Sequence, residues 1–95
     1  MRQPAVERIA TFFGVQIVIF RASEPGDGLA LHDHPFDHLT IAISGNPEAF
    51  YEDGSVRVLC PGDVPLKFVA GEKHGVRATA AGDRFMNITP FPARS

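Results

Sequence analysis

Apolar and polar residues alternate in short blocks along this chain, and turn-forming residues separate the blocks. Val15 to Ala22 is rich in Val, Ile and Phe and reads as a strand. Leu29 to His34 is a second strand, which Pro35 ends or kinks. His38 to Ser44 is a third. Ala49 to Glu52 and Ser55 to Cys60 flank Asp53-Gly54, the dipeptide favoured in a tight hairpin. Pro65 to Val69, His74 to Ala80 and Arg84 to Thr89 complete the set, with a hairpin turn expected at Ala81-Gly82-Asp83. No segment carries a 3.6-residue apolar stripe between helix caps, and Pro4 to Ala10 offers one helical turn at most. Eight or so short antiparallel strands predict an all-β sandwich or closed barrel.

Within that pattern, three of the four histidines fall close together: His32, His34 and His38. Their even numbers place them on one face of a strand if no bulge intervenes. After His38 the same face carries Thr40, Ala42 and Ser44, all small, while Leu39, Ile41 and Ile43 load the other face. The histidine face therefore leaves room for a pocket. His74, the fourth imidazole, follows the turn Ala70 to Lys73. Neutral imidazole binds Zn, Fe, Ni and Cu well and Mn less well, so four of them, or three and a water, can complete a site. A histidine taken alone is more often a surface or satisfied core residue; only the joint spacing argues for a metal.

That spacing resembles the cupin family. Its first block runs Gly, five residues, His-x-His, three or four residues, Glu, six residues, Gly. Here it falls on Gly26, His32-Asp33-His34, His38 in the Glu place, and Gly45. The second block is looser. Pro61-Gly62-Asp63 opens it and Gly71-Glu72-Lys73-His74 closes it, with Val69 in place of a Pro and Ala78 in place of an Asn. The resemblance implies a small antiparallel double-stranded β-helix, the jelly-roll or cupin barrel. It implies a single cupin domain over residues 1–95, with the motif-bearing barrel at about 15–90. It also implies one divalent transition metal (Zn, Fe, Ni, Mn or Cu) held by His32, His34, His38 and His74. With His38 replacing the carboxylate, such a site keeps the full charge of the ion and favours anionic chelating ligands. The expected function is a metal-dependent enzyme of oxygenase, cyclase or isomerase type acting on a small molecule, or else a binding or sensing barrel, or one with a purely structural metal.

Composition narrows the partners. The chain is 44% hydrophobic and 21% charged with a formal net charge of −2, which excludes a disordered chain and a basic nucleic-acid surface. No apolar run reaches membrane-spanning length. The stretch Ile9 to Phe20, broken by Thr11, Gly14 and Gln16, reads as strand rather than signal peptide. Cys60 is the one cysteine, which rules out an internal disulfide and suits a cytoplasmic location. It shares strand parity with Val56 and Val58 and reads as core filler. Asp33 and Glu72 read as solvated. Asp37 is a possible partner of a histidine or a general base, and Phe36 is a residue to watch at the pocket mouth. Phe36, Phe50, Tyr51, Phe68 and Phe85 are expected to supply barrel packing. The apolar face of Leu39, Ile41 and Ile43 needs a cover, either the N-terminal strand or a second subunit, and a homodimer is predicted.

Overall fold

Each alternating block becomes a strand, because β-branched and aromatic side chains pack well on a pleated surface that is buried on one side. The computed structural model describes residues 1–91, so the last four residues of the expected 1–95 domain lie outside it. The strands are β1 (Ala5–Phe12), β2 (Val15–Arg21), β3 (Gly28–His32), β4 (His38–Ser44), β5 (Glu48–Tyr51), β6 (Val56–Val58), β7 (Leu66–Phe68), β8 (His74–Arg77) and β9 (Arg84–Pro90). Two antiparallel sheets result. One has five strands in the order β1-β2-β9-β4-β7, the other four in the order β3-β8-β5-β6. No helix among the described residues is long and apolar enough to cross a membrane.

The core lies between the sheets. Ala42, Leu66, Phe68 and Phe85 come from the five-stranded sheet, Ala49 and Val76 from the other, and Leu59 from the loop after β6. Phe20 and Phe85, paired across β2 and β9, stack at 5.2 Å between ring centroids. Phe68 and Phe85 are fully buried, which stabilises the fold by roughly 1.5–3 kcal/mol each. In β4 the small residues Thr40 and Ala42 are buried with His38, while Leu39, Ile41 and Ile43 are half-buried on the outer face.

Four expectations need correction. Pro4 to Ala10 forms no helical turn. From Ala5 on it belongs to β1, which pairs with β2 through a two-residue hairpin at Phe13 and Gly14. Both have positive φ, 49° and 74°, as a type I′ turn requires. The weak alternation of β1 hid it, and pairing with β2 decides its conformation. Secondly, Ala81-Gly82-Asp83 is no hairpin turn, because β8 and β9 lie in different sheets. The chain leaves β8 at Arg77 and crosses over, and the buried Asp83 carboxylate organises the crossing by accepting the Thr79 N–H at 2.8 Å. Thirdly, Cys60 is exposed, as are Val56 and Val58. β6 is a short edge strand, and Leu59 turns inward instead. Lastly, the N-terminal strand does not cover the outer face of β4. It extends the same sheet sideways.

Gly45 shows how tightly the crossover fits. Its φ is +72°, and an added Cβ would lie 1.9 Å from Asp83 Oδ1. Gly54 has φ +87° but open space around it. Gly45→Ala should therefore destabilise by roughly 2–4 kcal/mol, backbone strain plus overpacking. Gly54→Ala should cost only the strain, about 1–2 kcal/mol. Urea unfolding midpoints of the two variants check the difference.

Candidate metal centre

The four imidazoles meet at one end of the barrel, where the two sheets close on each other. His32 ends β3 and His74 begins β8, and the two are paired across the ladder. His38 begins β4 in the other sheet, opposite Phe68. His34 stands in the loop that carries the chain from one sheet to the other. Ring centroids are 4.6 Å apart for His32 and His34, 4.8 Å for His32 and His74, and 4.9 Å for His34 and His38. His32, His34 and His74 can each offer a ring nitrogen such that all three lie within 4.8 Å of one another. His38 joins through His74, their Nε2 atoms being 2.9 Å apart.

The protein sets the tautomers. His74 Nδ1 donates to the Glu72 carbonyl at 2.9 Å, and His32 Nδ1 donates to the Ala30 carbonyl. A carbonyl only accepts, so the hydrogen sits on Nδ1 and the Nε2 lone pair is left free. Phe68 stacks flat on His74 with centroids 3.8 Å apart and holds the ring plane. Phe36 stacks on His34 at 5.0 Å. These residues fit a cation. His32, His34 and His74 would hold it, with His38 beside His74 as a fourth nitrogen. The donor set is all nitrogen, which suits the borderline transition metals. His38 Nδ1 is buried with no partner, so this ring is placed for what its Nε2 meets.

The electrostatics favour the neutral form of His34, His38 and His74. Burial pushes the His38 imidazole down to about 4, helped by its neighbours His74, His34 and His32. His34 and His74 are lowered as well, burial being the main cause in both. Neutral imidazole is the form that binds a metal.

A cavity of about 430 Å³ opens beside His32 and His34. Its apolar wall includes Val18, Phe20 and Leu29, and its polar groups are Gln3, Gln16, Asn87 and Thr89. Asn87 Oδ1 accepts from Thr40 Oγ1 at 2.7 Å, which fixes the amide and frees its N–H donors. Sequence reasoning noticed Gln16 only as a break in an apolar run and passed over Asn87 and Thr89. The available signal was parity. Each is polar on the inward face of a strand whose outward face is apolar.

The other candidates fall outside the cavity lining. Asp33 is exposed. Asp37 is exposed too, accepts the Ala70 N–H at 2.8 Å and pairs with Lys67 at 3.4 Å, so it ties two loops together instead of serving a histidine. The Ala70 N–H, and then Lys67, hold its carboxyl below the usual range. Glu72 contributes its backbone carbonyl, with its side chain exposed. Phe36 backs His34 and does not line the cavity mouth.

Stability of the metal-free chain should depend on pH. An unfolded histidine takes its proton near pH 6.5, whereas His38 in the fold resists until about 4. Between these values the unfolded state binds more protons. Stability is therefore complete above about pH 6.5 and declines as pH falls toward 4, by up to ~1.4 kcal/mol per pH unit for one such histidine. The lowered His34 and His74 act in the same direction. Urea midpoints measured on chelator-treated protein should follow this slope, and a flat profile would contradict a buried neutral cluster.

Neither a family model nor a curated protein matches the sequence. Solved structures do. A conserved protein with a double-stranded β-helix domain from Klebsiella pneumoniae is 26% identical with a TM-score of 0.76, over 97% of this chain and 81% of that one. A cupin-2 domain protein from Shewanella frigidimarina is 20% identical with a TM-score of 0.71, over 93% and 79%. The DMSP lyase DddQ from Ruegeria pomeroyi is 21% identical with a TM-score of 0.64, over 85% of this chain and 39% of that one. The chain has the cupin fold, an all-β double-stranded β-helix with a cluster of histidines at one end.

Proposed function

We propose that this chain is a one-domain, cytoplasmic, metal-dependent cupin that works as a homodimer and binds a small, oxygen-rich, anionic organic molecule. The observation that carries this reading is the convergence of His32, His34 and His74, with Nε2 of His32 and His74 freed by backbone carbonyls, beside a cavity whose wall includes His32 and His34. His32, His34 and His74 would hold the metal, with His38 as the fourth ligand. A divalent ion bound there supplies Lewis acidity toward a substrate oxygen.

The chain's own residues do the rest. The Asn87 amide, oriented by Thr40, donates to a carbonyl or carboxylate oxygen in the cavity. Gln16 offers a second amide on the neighbouring strand. Val18, Phe20 and Leu29 hold the carbon skeleton and exclude water. With all metal ligands neutral, the site keeps a positive charge and favours an anion. The DMSP lyase is one protein of similar fold whose name states a reaction, and this supports catalysis as one outcome. Binding without turnover is the second reading. It is favoured by the cavity lining, in which no described residue is a carboxylate, phenol or amine able to act as general base.

Untagged protein analysed for metals should contain about one transition ion per chain. His34→Ala and His74→Ala should each lower metal affinity at least tenfold, as loss of a ligand does. Chelation should lower the melting temperature, as expected where metal binding contributes folding free energy. Folded protein that takes up no metal in titration calorimetry would overturn the reading. Separately, Asn87→Leu should keep its metal and weaken binding of a small dicarboxylate roughly tenfold, the loss expected for one hydrogen bond to a charged group. Calorimetry on the metal-loaded variant measures this, and oxygen uptake with diketones or catechols separates enzyme from binder.

A further inference from the structure

The residues ahead of β1 cross from one sheet to the other. Ala5 is paired with Arg21 in the five-stranded sheet, whereas the Arg2 carbonyl accepts the N–H of Gly28, the first residue of β3, at 2.9 Å. Side chains hold this strap down. The Arg2 guanidinium pairs with Glu24 at 3.2 Å and with Asp27 at 3.5 Å. Asp27 is itself buried and accepts the N–H groups of Ser23 and Glu24. Pro4 is buried as well. Between these two fixed points stands Gln3, which lines the cavity that His32 and His34 also line.

Register shows which end of the cavity the strap closes. β3 runs from Gly28 to His32, so the strap and the histidines lie at its two ends, roughly 13 Å apart at the usual rise of a strand. On the facing sheet Gln16 is beside Thr89, Val18 beside Asn87 and Phe20 beside Phe85. Leu39 is paired with Ile88, and one step on His38 stands level with Thr89. Gln16 and Thr89 therefore belong to the histidine end and Phe20 to the far end. Away from the histidines the lining passes from amide and hydroxyl to the hydrocarbon of Val18, Phe20 and Leu29, and it closes on one amide, Gln3. No described residue of the lining is an acid, a lysine or an arginine. Arg2, next to Gln3 in the chain, already faces two carboxylates and has no charge to spare.

We propose that Gln3 reads the far end of the ligand, and that the ligand is an elongated monoanion with an uncharged hydrogen-bonding tail. Its anionic, chelating head sits at the histidines, its hydrocarbon middle lies against Val18, Phe20 and Leu29, and its terminal hydroxyl or amide meets the Gln3 side chain. This rests on the metal-dependent anion binding proposed above and adds the length and the end group. A glutamine amide both donates and accepts, which suits a neutral group of the same mixed character. A second carboxylate at the tail would leave water for a wall with no cation to meet it, and that desolvation exceeds what one amide returns. A methyl tail would fit the hydrocarbon but forgo the bond. The strap's fixed path makes Gln3 a set distance marker, so shorter acids fall short of it.

Titration calorimetry on the metal-loaded chain tests this with straight-chain acids that share one head: α-ketooctanoate, its ω-hydroxy analogue, and the ω-carboxylate α-ketosuberate. The hydroxy acid should bind roughly three- to tenfold more tightly than α-ketooctanoate, the range of one neutral hydrogen bond. α-Ketosuberate should bind most weakly, about tenfold or more below the hydroxy acid. Gln3 is exposed, so Gln3→Leu leaves the fold intact. In that variant the preference for the hydroxy acid should vanish while α-ketooctanoate binds at least as tightly as before, which also shows that fold and metal are retained. If none of the acids binds the metal-loaded protein, the anion-binding reading falls and this assignment with it. If they bind equally, if α-ketosuberate binds best, or if the hydroxy preference survives Gln3→Leu, this assignment alone is overturned.

Discussion

The site depends on the way His74 is held between two sheets. Its Nδ1 is tied to the Glu72 carbonyl, its face lies flat on Phe68, and its Nε2 meets His38 from the opposite sheet. Each contact removes a freedom, so the lone pair can point in one direction only. Burial, and then repulsion from His74, His34 and His32, keeps His38 neutral down to about pH 4. A short chain has little core to spare, and part of this one is made of polar rings. Without a shared ion, His38 Nε2–H donates to the His74 Nε2 lone pair, and His38 Nδ1 is left buried without a partner. A bound cation would join the two sheets at the point where the apolar core gives out.

β4 connects this end of the barrel with the rest of the molecule. Its inward residues His38, Thr40 and Ala42 are a ligand candidate, a hydroxyl that orients Asn87, and a small side chain that leaves space. Its outward residues Leu39 and Ile41 belong to the apolar field. One strand thus carries both surfaces, separated by the thickness of a single pleated sheet. The histidines on one face and the apolar outer face are mechanically adjacent, with His38 and Asp37 at the boundary.

The buried acids have a different role. Asp27 and Asp83 are both nearly inaccessible, yet neither lies near the histidines. Asp27 accepts the N–H groups of Ser23 and Glu24, and Asp83 those of Thr79 and Ala80. They organise loops away from the site, so a carboxylate being buried here marks loop architecture and not catalysis.

Alternation and histidine spacing alone determined the all-β class, most strand positions and the four residues to watch, because side-chain period is a local property that each strand carries in its own residues. The blank spots were long-range. β1 lacks a clear period and becomes a strand through pairing with β2. The segment after β8 looks like a hairpin turn, yet it changes sheets, since turn residues specify a reversal and not the partner that receives the next strand. Cys60 follows the parity of β6 but ends exposed, because an edge strand has no second sheet to turn toward. The orientation of Asn87 by Thr40, the 2.9 Å meeting of His38 with His74, and the sideways placement of β1 on the five-stranded sheet were decided only by tertiary structure. Each joins residues more than thirty positions apart or depends on which strands are neighbours, and no local pattern encodes that.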